Sequence, residues 1–276
     1  MENREMLLEA LKEIEKWEQD QKDLWFWEKL GRIPFTLLDR ITPNIVHEWL
    51  GKILDELGGY IQTGGQYLIS EKEIITQLAK EAQLRPDYLT LDKVPALPLH
   101  TMDKVAEELK ESRKQFATMQ GATTGFGGVF TLAIDIPALL GLSLKVLQEM
   151  ALSYGYNPKD KHERIFIVKC LQFASSDFVG KQAIIKELAA AETAQVGESI
   201  SKLEGWREVI YTYRDNYGWK KLFQLVPVVG IIFGAYINRS TIDEVAEAGQ
   251  MLYRKRRVLE KLARMDNDDG LAKYNI

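Results

Sequence analysis

An all-α fold is what this sequence predicts, and three observations predict it. Nearly every segment of the 276-residue chain carries its apolar side chains at three- and four-residue steps, the repeat of one helix face. No Asn-Gly or Asp-Gly pair stands between alternating apolar runs, so the strongest hairpin signal is missing. Stop and start residues punctuate the chain at helix-sized intervals, most clearly around Gly155 and Pro158. With 46% hydrophobic and 28% charged residues, the chain can bury a large core, and its length suits one or two domains. A net charge of -4, from 36 basic and 40 acidic side chains, gives no overall pull toward nucleic acid. The one cysteine, Cys170, rules out an internal disulfide framework and fits a reducing compartment. The charged N-terminus lacks the apolar core of a secretory signal, so the expected location is the cytoplasm.

Taken in order, residues 3–23 place Met6, Leu7, Ala10, Leu11, Ile14 and Trp17 on one stripe of a charged helix. Aromatics crowd "LWFWEKLGRIPF" before Gly31 and Pro34 turn the chain. A helix from Pro43 to about Leu57 ends at Gly58 and Gly59. Ser70 and Glu73 then form a capping-box pattern ahead of "IITQLAKEA". "RPDYLTLDKVPALPLH" holds three prolines and reads as an internal linker or irregular crossing over 85–98. Helix is expected again from Leu99 to Met119. Further on, Gly155 suits a C-terminal cap, Asn157 an N-cap and Pro158 the first helical position. Helices are expected over 180–196, 199–214, 218–238 and 240–265, giving a single domain over 1–265 with a polar, fraying tail over 266–276.

Two apolar segments stand out. Residues 121–144 carry Gly121, Gly125 and Gly128; the segment at 222–238 carries Gly230, Gly234 and, at its end, Asn238. Glycines four apart leave a helix face bare enough for close backbone approach. Both segments contain a proline, Pro137 or Pro227, and neither reads as a standard span. They suit central helices covered on all sides, and equally a lipid-contacting hairpin. Asp135 is the only charge in its run, and the spacing predicts a hinge there: the carboxylate caps a new helix through the Ala138 amide, with Pro137 in the first turn.

These residues carry a family resemblance. "DIPALLGLSLKVLQEMALSYGY" after a glycine-rich run, and "VPVVGIIFGAYINRSTIDEVAEAGQMLYRKRR" later, are similar to the EcsC family. The matching positions are Gly125, Gly128, Asp135, Pro137, Tyr154, Gly155, Pro227, Gly230, Gly234 and Asn238. The resemblance implies an all-helical, mainly bacterial protein, from a family named after a gene cluster that includes an ABC transporter. It brings no catalytic residues.

Signatures of chemistry are sparse. The glycines at 121–128 miss the dinucleotide-binding spacing, His47, His100 and His162 are scattered, and Ser143 lacks the glycine that closes a nucleophile elbow. Cys170 sits among apolar neighbours without an activating base. No cofactor or metal is expected. The last expected helix begins with Ser240, Thr241, Asp243 and Glu244 and ends with Arg254, Lys255, Arg256, Arg257, Lys261 and Arg264, the polarity the helix dipole favours. Arg254, Lys255, Arg256 and Arg257 are either an ordinary solvated helix end or a patch for anionic headgroups. The resulting expectation is a non-catalytic accessory protein, peripheral at the inner face of the cell membrane. Its partner is membrane lipid or an integral membrane protein such as an ABC transporter. A soluble bundle holding an acyl chain, and a hydrolase, are the alternatives.

Overall fold

The computed structural model describes residues 2–21, 60, 69–124, 129–176, 181–186, 188 and 227–274, giving backbone alone for 129–137, 227–234 and 268–274. The helix expected at 43–57, the aromatic crowd at 24–35, the helix at 199–214, Gly125 and Gly128 lie outside these residues. Among the described residues every regular element is helical.

Helix α1, Arg4–Asp20, starts where the Asn3 side chain accepts a hydrogen bond from the Met6 amide at 2.9 Å. Its Leu7, Ala10 and Ile14 are buried at the spacing of one helix face. Helix α2, Glu71–Glu81, starts on Ser70, whose hydroxyl accepts from the Glu73 amide at 3.4 Å, and buries Ile74, Ile75, Leu78 and Ala79. It stops at Gln83, which has a positive φ of 57°. There the Leu84 amide bonds the Ala79 carbonyl and the Gln83 amide that of Lys80, the paired closure of a Schellman motif.

The proline-rich stretch is a packed crossing. It forms two 3-10 turns, Pro86–Tyr88 and Leu91–Ala96, whose shorter-range bonds tolerate proline's missing amide, and it buries Leu89, Val94 and Leu97.

Helix α3, Leu99–Thr124, continues past the expected stop at Met119 and buries Gly121 near its end. Helix α4, Val129–Ser153, passes unbroken through Asp135 and Pro137, which corrects the predicted hinge. An internal proline costs a helix about 3 kcal/mol, less than the packing of a long buried helix supplies, so the helix continues. The backbone of Asp135 lies six residues inside the helix.

The stop at Gly155 is as expected. Gly155 has φ +78°, the Tyr156 amide bonds the Ala151 carbonyl, and the Gly155 amide bonds that of Leu152. A Cβ there would lie 2.9 Å from Pro95 Cδ, so the turn is also seated on the crossing. The restart comes later than expected. Asn157 accepts from the Lys159 amide in a local turn, and helix α5, Lys161–Ser175, begins after Asp160.

Helix α6 spans Pro227–Tyr274, 48 residues or about 72 Å. The break expected at 238–240 and the frayed tail from 266 are both replaced by continuous helix. Thr241 donates its hydroxyl back to the Ile237 carbonyl and Ser240 bonds Glu244, so both residues act inside the helix and neither caps a new one.

Cross-helix bonds define the packing. Asp103 meets Arg254, and Lys114 meets Asp243, so α3 and α6 run antiparallel. Arg113 meets Glu149 and Asp103 meets Tyr154, so α4 also runs against α3 and hence parallel to α6. The C-terminus of α3 and the N-termini of α4 and α6 therefore share one end of the bundle.

Candidate functional site

The basic run of α6 is where the sequence placed a surface patch, and the fold turns it inward. Arg254 bonds Asp103 of α3 and Glu13 of α1, each at 3.0 Å. Lys255 bonds Glu18 of α1 at 2.8 Å. Arg256 donates to both oxygens of Glu163 on α5 at 3.0 Å, and its guanidinium lies 4.1 Å from the centre of the Tyr156 ring. Arg257, only 2% exposed, donates twice to the Tyr154 carbonyl, at 2.9 and 2.6 Å, and once to Glu260. Lys261 continues the row, bonding Glu2 and the Leu97 carbonyl. Arg254, Lys255, Arg256 and Arg257, the expected headgroup patch, are thus engaged within the fold: α1, α3, α5 and the turn that follows α4 each bring an acceptor to this run. A cation paired in this way has little attraction left for a lipid phosphate.

The electrostatics follow from burial. Desolvation pushes the Glu163 carboxyl above the ordinary carboxylate range, against the pull of Arg256 and of the Tyr253 hydroxyl, which donates at 2.7 Å. Asp103 is likewise raised by burial, opposed by Arg254 and by the Tyr154 hydroxyl. Burial lowers Arg257 and drives the Tyr154 and Tyr253 phenols well up. Cys170 is fully buried and its thiol is raised for the same reason, so it packs as a small hydrophobe. Ser143 is buried with its hydroxyl on the Leu139 carbonyl, His100 and His162 are exposed, and His47 lies outside the described residues. No group of three or more metal-ligand side chains occurs among the described residues. This end of the bundle holds charge in place.

The opposite end has another character. Phe116 and Met119 stand exposed on α3, at 52% and 69%, and Tyr236 on α6 at 57%. Counting seven residues from the Lys114–Asp243 pair puts Tyr236 level with Gly121, within two turns of both exposed α3 residues. Arg257 on Tyr154 gives α6 an offset of 103 from α4, which sets the backbone of Asp135 level with Asn238, a buried residue. Gly121 is buried as a packing glycine should be. Pro227 is the first residue of α6, and Gly230 and Gly234 lie in its first turns, but what faces them, and the side chains of Asp135 and Pro137, lie outside the described residues. No helix among the described residues is long and apolar enough to cross a membrane.

Sequence reasoning missed Gly249, where α6 packs tightly against α4. A Cβ there would lie 2.7 Å from Leu147 Cδ2 and 3.3 Å from Met150 Cγ. Gly249 has no glycine four residues away to signal it, only the small neighbours Ala246 and Ala248. Glu163 was missed too, because a glutamate in a first helical turn reads as a dipole partner.

The EcsC protein family model matches residues 8–258, and the chain belongs to that family. Among its relatives, "Uncharacterized protein YdbA" of Bacillus subtilis (strain 168) is 53% identical over 268 residues, covering 97% of this chain and 98% of that protein. "Protein EcsC" of the same organism is 29% identical over 185 residues, covering 67% of this chain and 76% of its own length. No solved structure matches.

Proposed function

We propose that this protein is a non-catalytic accessory protein that attaches peripherally to the inner face of the cell membrane through the charge-poor end of its bundle. The observation that carries the reading is the exposure of Phe116, Met119 and Tyr236 at the end where α3, α4 and α6 are most apolar. An exposed phenylalanine and methionine beside an amphipathic tyrosine suit the boundary between water and acyl chains. The paired basic run of α6 contributes nothing to this attachment.

Flotation with liposomes is the test. The parent should float, and a Phe116→Ser, Met119→Ser, Tyr236→Ser variant should stay at the bottom of the gradient with its helical circular dichroism intact. Failure of the parent to float on any vesicle would remove the lipid reading. If attachment instead runs through an integral membrane protein, such as a transporter of the class for which the family's gene cluster is known, native membranes would retain the chain and protein-free vesicles would not.

A further inference from the structure

We infer that the seat of α1 on α6 is a docking site for an acidic amphipathic helix of a partner protein, kept shut in the free chain by α1 itself. Two observations carry this. The first is how little apolar surface holds α1 in place. It buries three of its 17 residues, Leu7, Ala10 and Ile14, with Leu11 and Trp17 partly buried beside them, where α5 buries nine of 15. The rest of its hold is polar and runs along its whole length. Glu2, just ahead of the helix, meets Lys261 at 2.6 Å, Arg4 meets Asp266 at 3.1 Å, and Glu13 meets Arg254 at 3.0 Å. The Trp17 indole donates to Glu247 and Glu18 accepts from Lys255, both at 2.8 Å. Charges that leave such a seat return to water, which offsets much of the lost attraction, so these pairs fix where α1 sits more than how firmly. An element held in this way opens ahead of the rest of the fold.

The second observation is the order of charge beneath α1. Along α6 stand the acid Glu247, the cations Arg254 and Lys255, the cation Lys261 and the acid Asp266, over about 28 Å. With α1 lifted, Arg254 keeps Asp103 and Lys261 keeps the Leu97 carbonyl, so both stay in position for an incoming carboxylate. The order fits a helix antiparallel to α6, with carboxylates beside an apolar stripe spaced as Leu7, Ala10 and Ile14 are. Acids at both ends of the seat favour such a helix over a phosphate surface, which they would repel. A partner helix competes with α1 for one seat, and α1, being tethered, holds it until that partner arrives.

The experiment uses the full chain, with a fluorescein-labelled peptide of residues 2–21 as the probe. Hydrogen exchange of the parent should be faster in α1 than in α3 or in residues 240–262, and high sodium chloride should speed α1 alone. Glu13→Lys with Glu18→Lys sets like charges against Arg254 and Lys255, and should open α1 while α3 and α6 stay protected. At low salt the peptide should bind this variant about tenfold or more tighter than it binds the parent, and a peptide with both glutamates replaced by glutamine should lose that gain. An α1 that exchanges as slowly as α3 in high salt, or a variant in which α3 and α6 lose protection together with α1, would make α1 a fixed part of the core and overturn the inference. An opened variant that ignores the peptide, or takes the glutamine peptide equally well, would overturn it too.

Discussion

The two ends of this bundle are built from the same three helices and solve opposite problems. At one end α6 carries Arg254, Lys255, Arg256, Arg257 and Lys261, and each is taken up by an acceptor from another element. At the other end the helices carry almost no charge and leave Phe116, Met119 and Tyr236 in the open. The residues most suited by type to meet a membrane surface are spent inside, and the residues most suited to a core are outside. A basic run therefore says little about a surface until its partners are known, whereas an exposed aromatic is informative as it stands.

Breaking the charged end should have the largest effect. Arg257→Ala strands the Tyr154 carbonyl and opens a cavity among buried groups, and should cost about 3–5 kcal/mol in urea unfolding. A cost near zero would mean that water replaces the guanidinium and that this end is more open than its geometry shows. Next is the seam joining the two ends: Gly249→Val should cost about 1–3 kcal/mol by overpacking against Leu147 and Met150.

The ends should also differ in their response to pH. Asp103 and Glu163 have folded pKa values above their unfolded ones, so the folded state holds protons that the unfolded chain has released. Stability from this source is full below the unfolded values, 3.8 and 4.5, and falls as pH rises toward the folded ones. The stability lead of the parent over an Asp103→Asn, Glu163→Gln variant should shrink as pH is raised from acid to neutral. A lead that grows would show that Arg254 and Arg256 outweigh burial at this end.

Smaller still is the gain from Gln83→Gly. The two Schellman stops differ in that Gly155 suits its positive φ and Gln83 does not, so glycine at 83 should stabilise by about 1 kcal/mol or less, read as a rise in melting temperature. Smallest of all, Phe116→Ser and Met119→Ser should each change stability by no more than about 0.5 kcal/mol, since both side chains are exposed. A large loss from either would place it in a core contact and weaken its part in docking.

How much was legible in advance varies by element. The faces of α1 and α2 were readable because Leu7, Ala10 and Ile14, or Ile74, Leu78 and their neighbours, repeat within a few residues. The stop at Gly155 was readable because a positive φ demands a particular residue locally. The hinge at Asp135 and the break at 240 were misread for one reason. Proline, aspartate and serine do mark helix ends by local chemistry, but a helix packed along its length absorbs one missing bond, and a hydroxyl can bond its own preceding turn.

By itself, then, the sequence determined that this chain is all-helical, which residues line each short amphipathic face, and where its uncharged stretches lie, since each of these is a pattern among neighbours. Only the tertiary structure decided which charges are spent and which apolar groups are left over. Lys255 meets Glu18 across 237 residues and Arg254 meets Glu13 across 241, and no local period encodes such a meeting. It arises when helices with buried stripes are brought side by side, because burying a charge without a partner costs several kcal/mol and the fold that forms is one that supplies the partner.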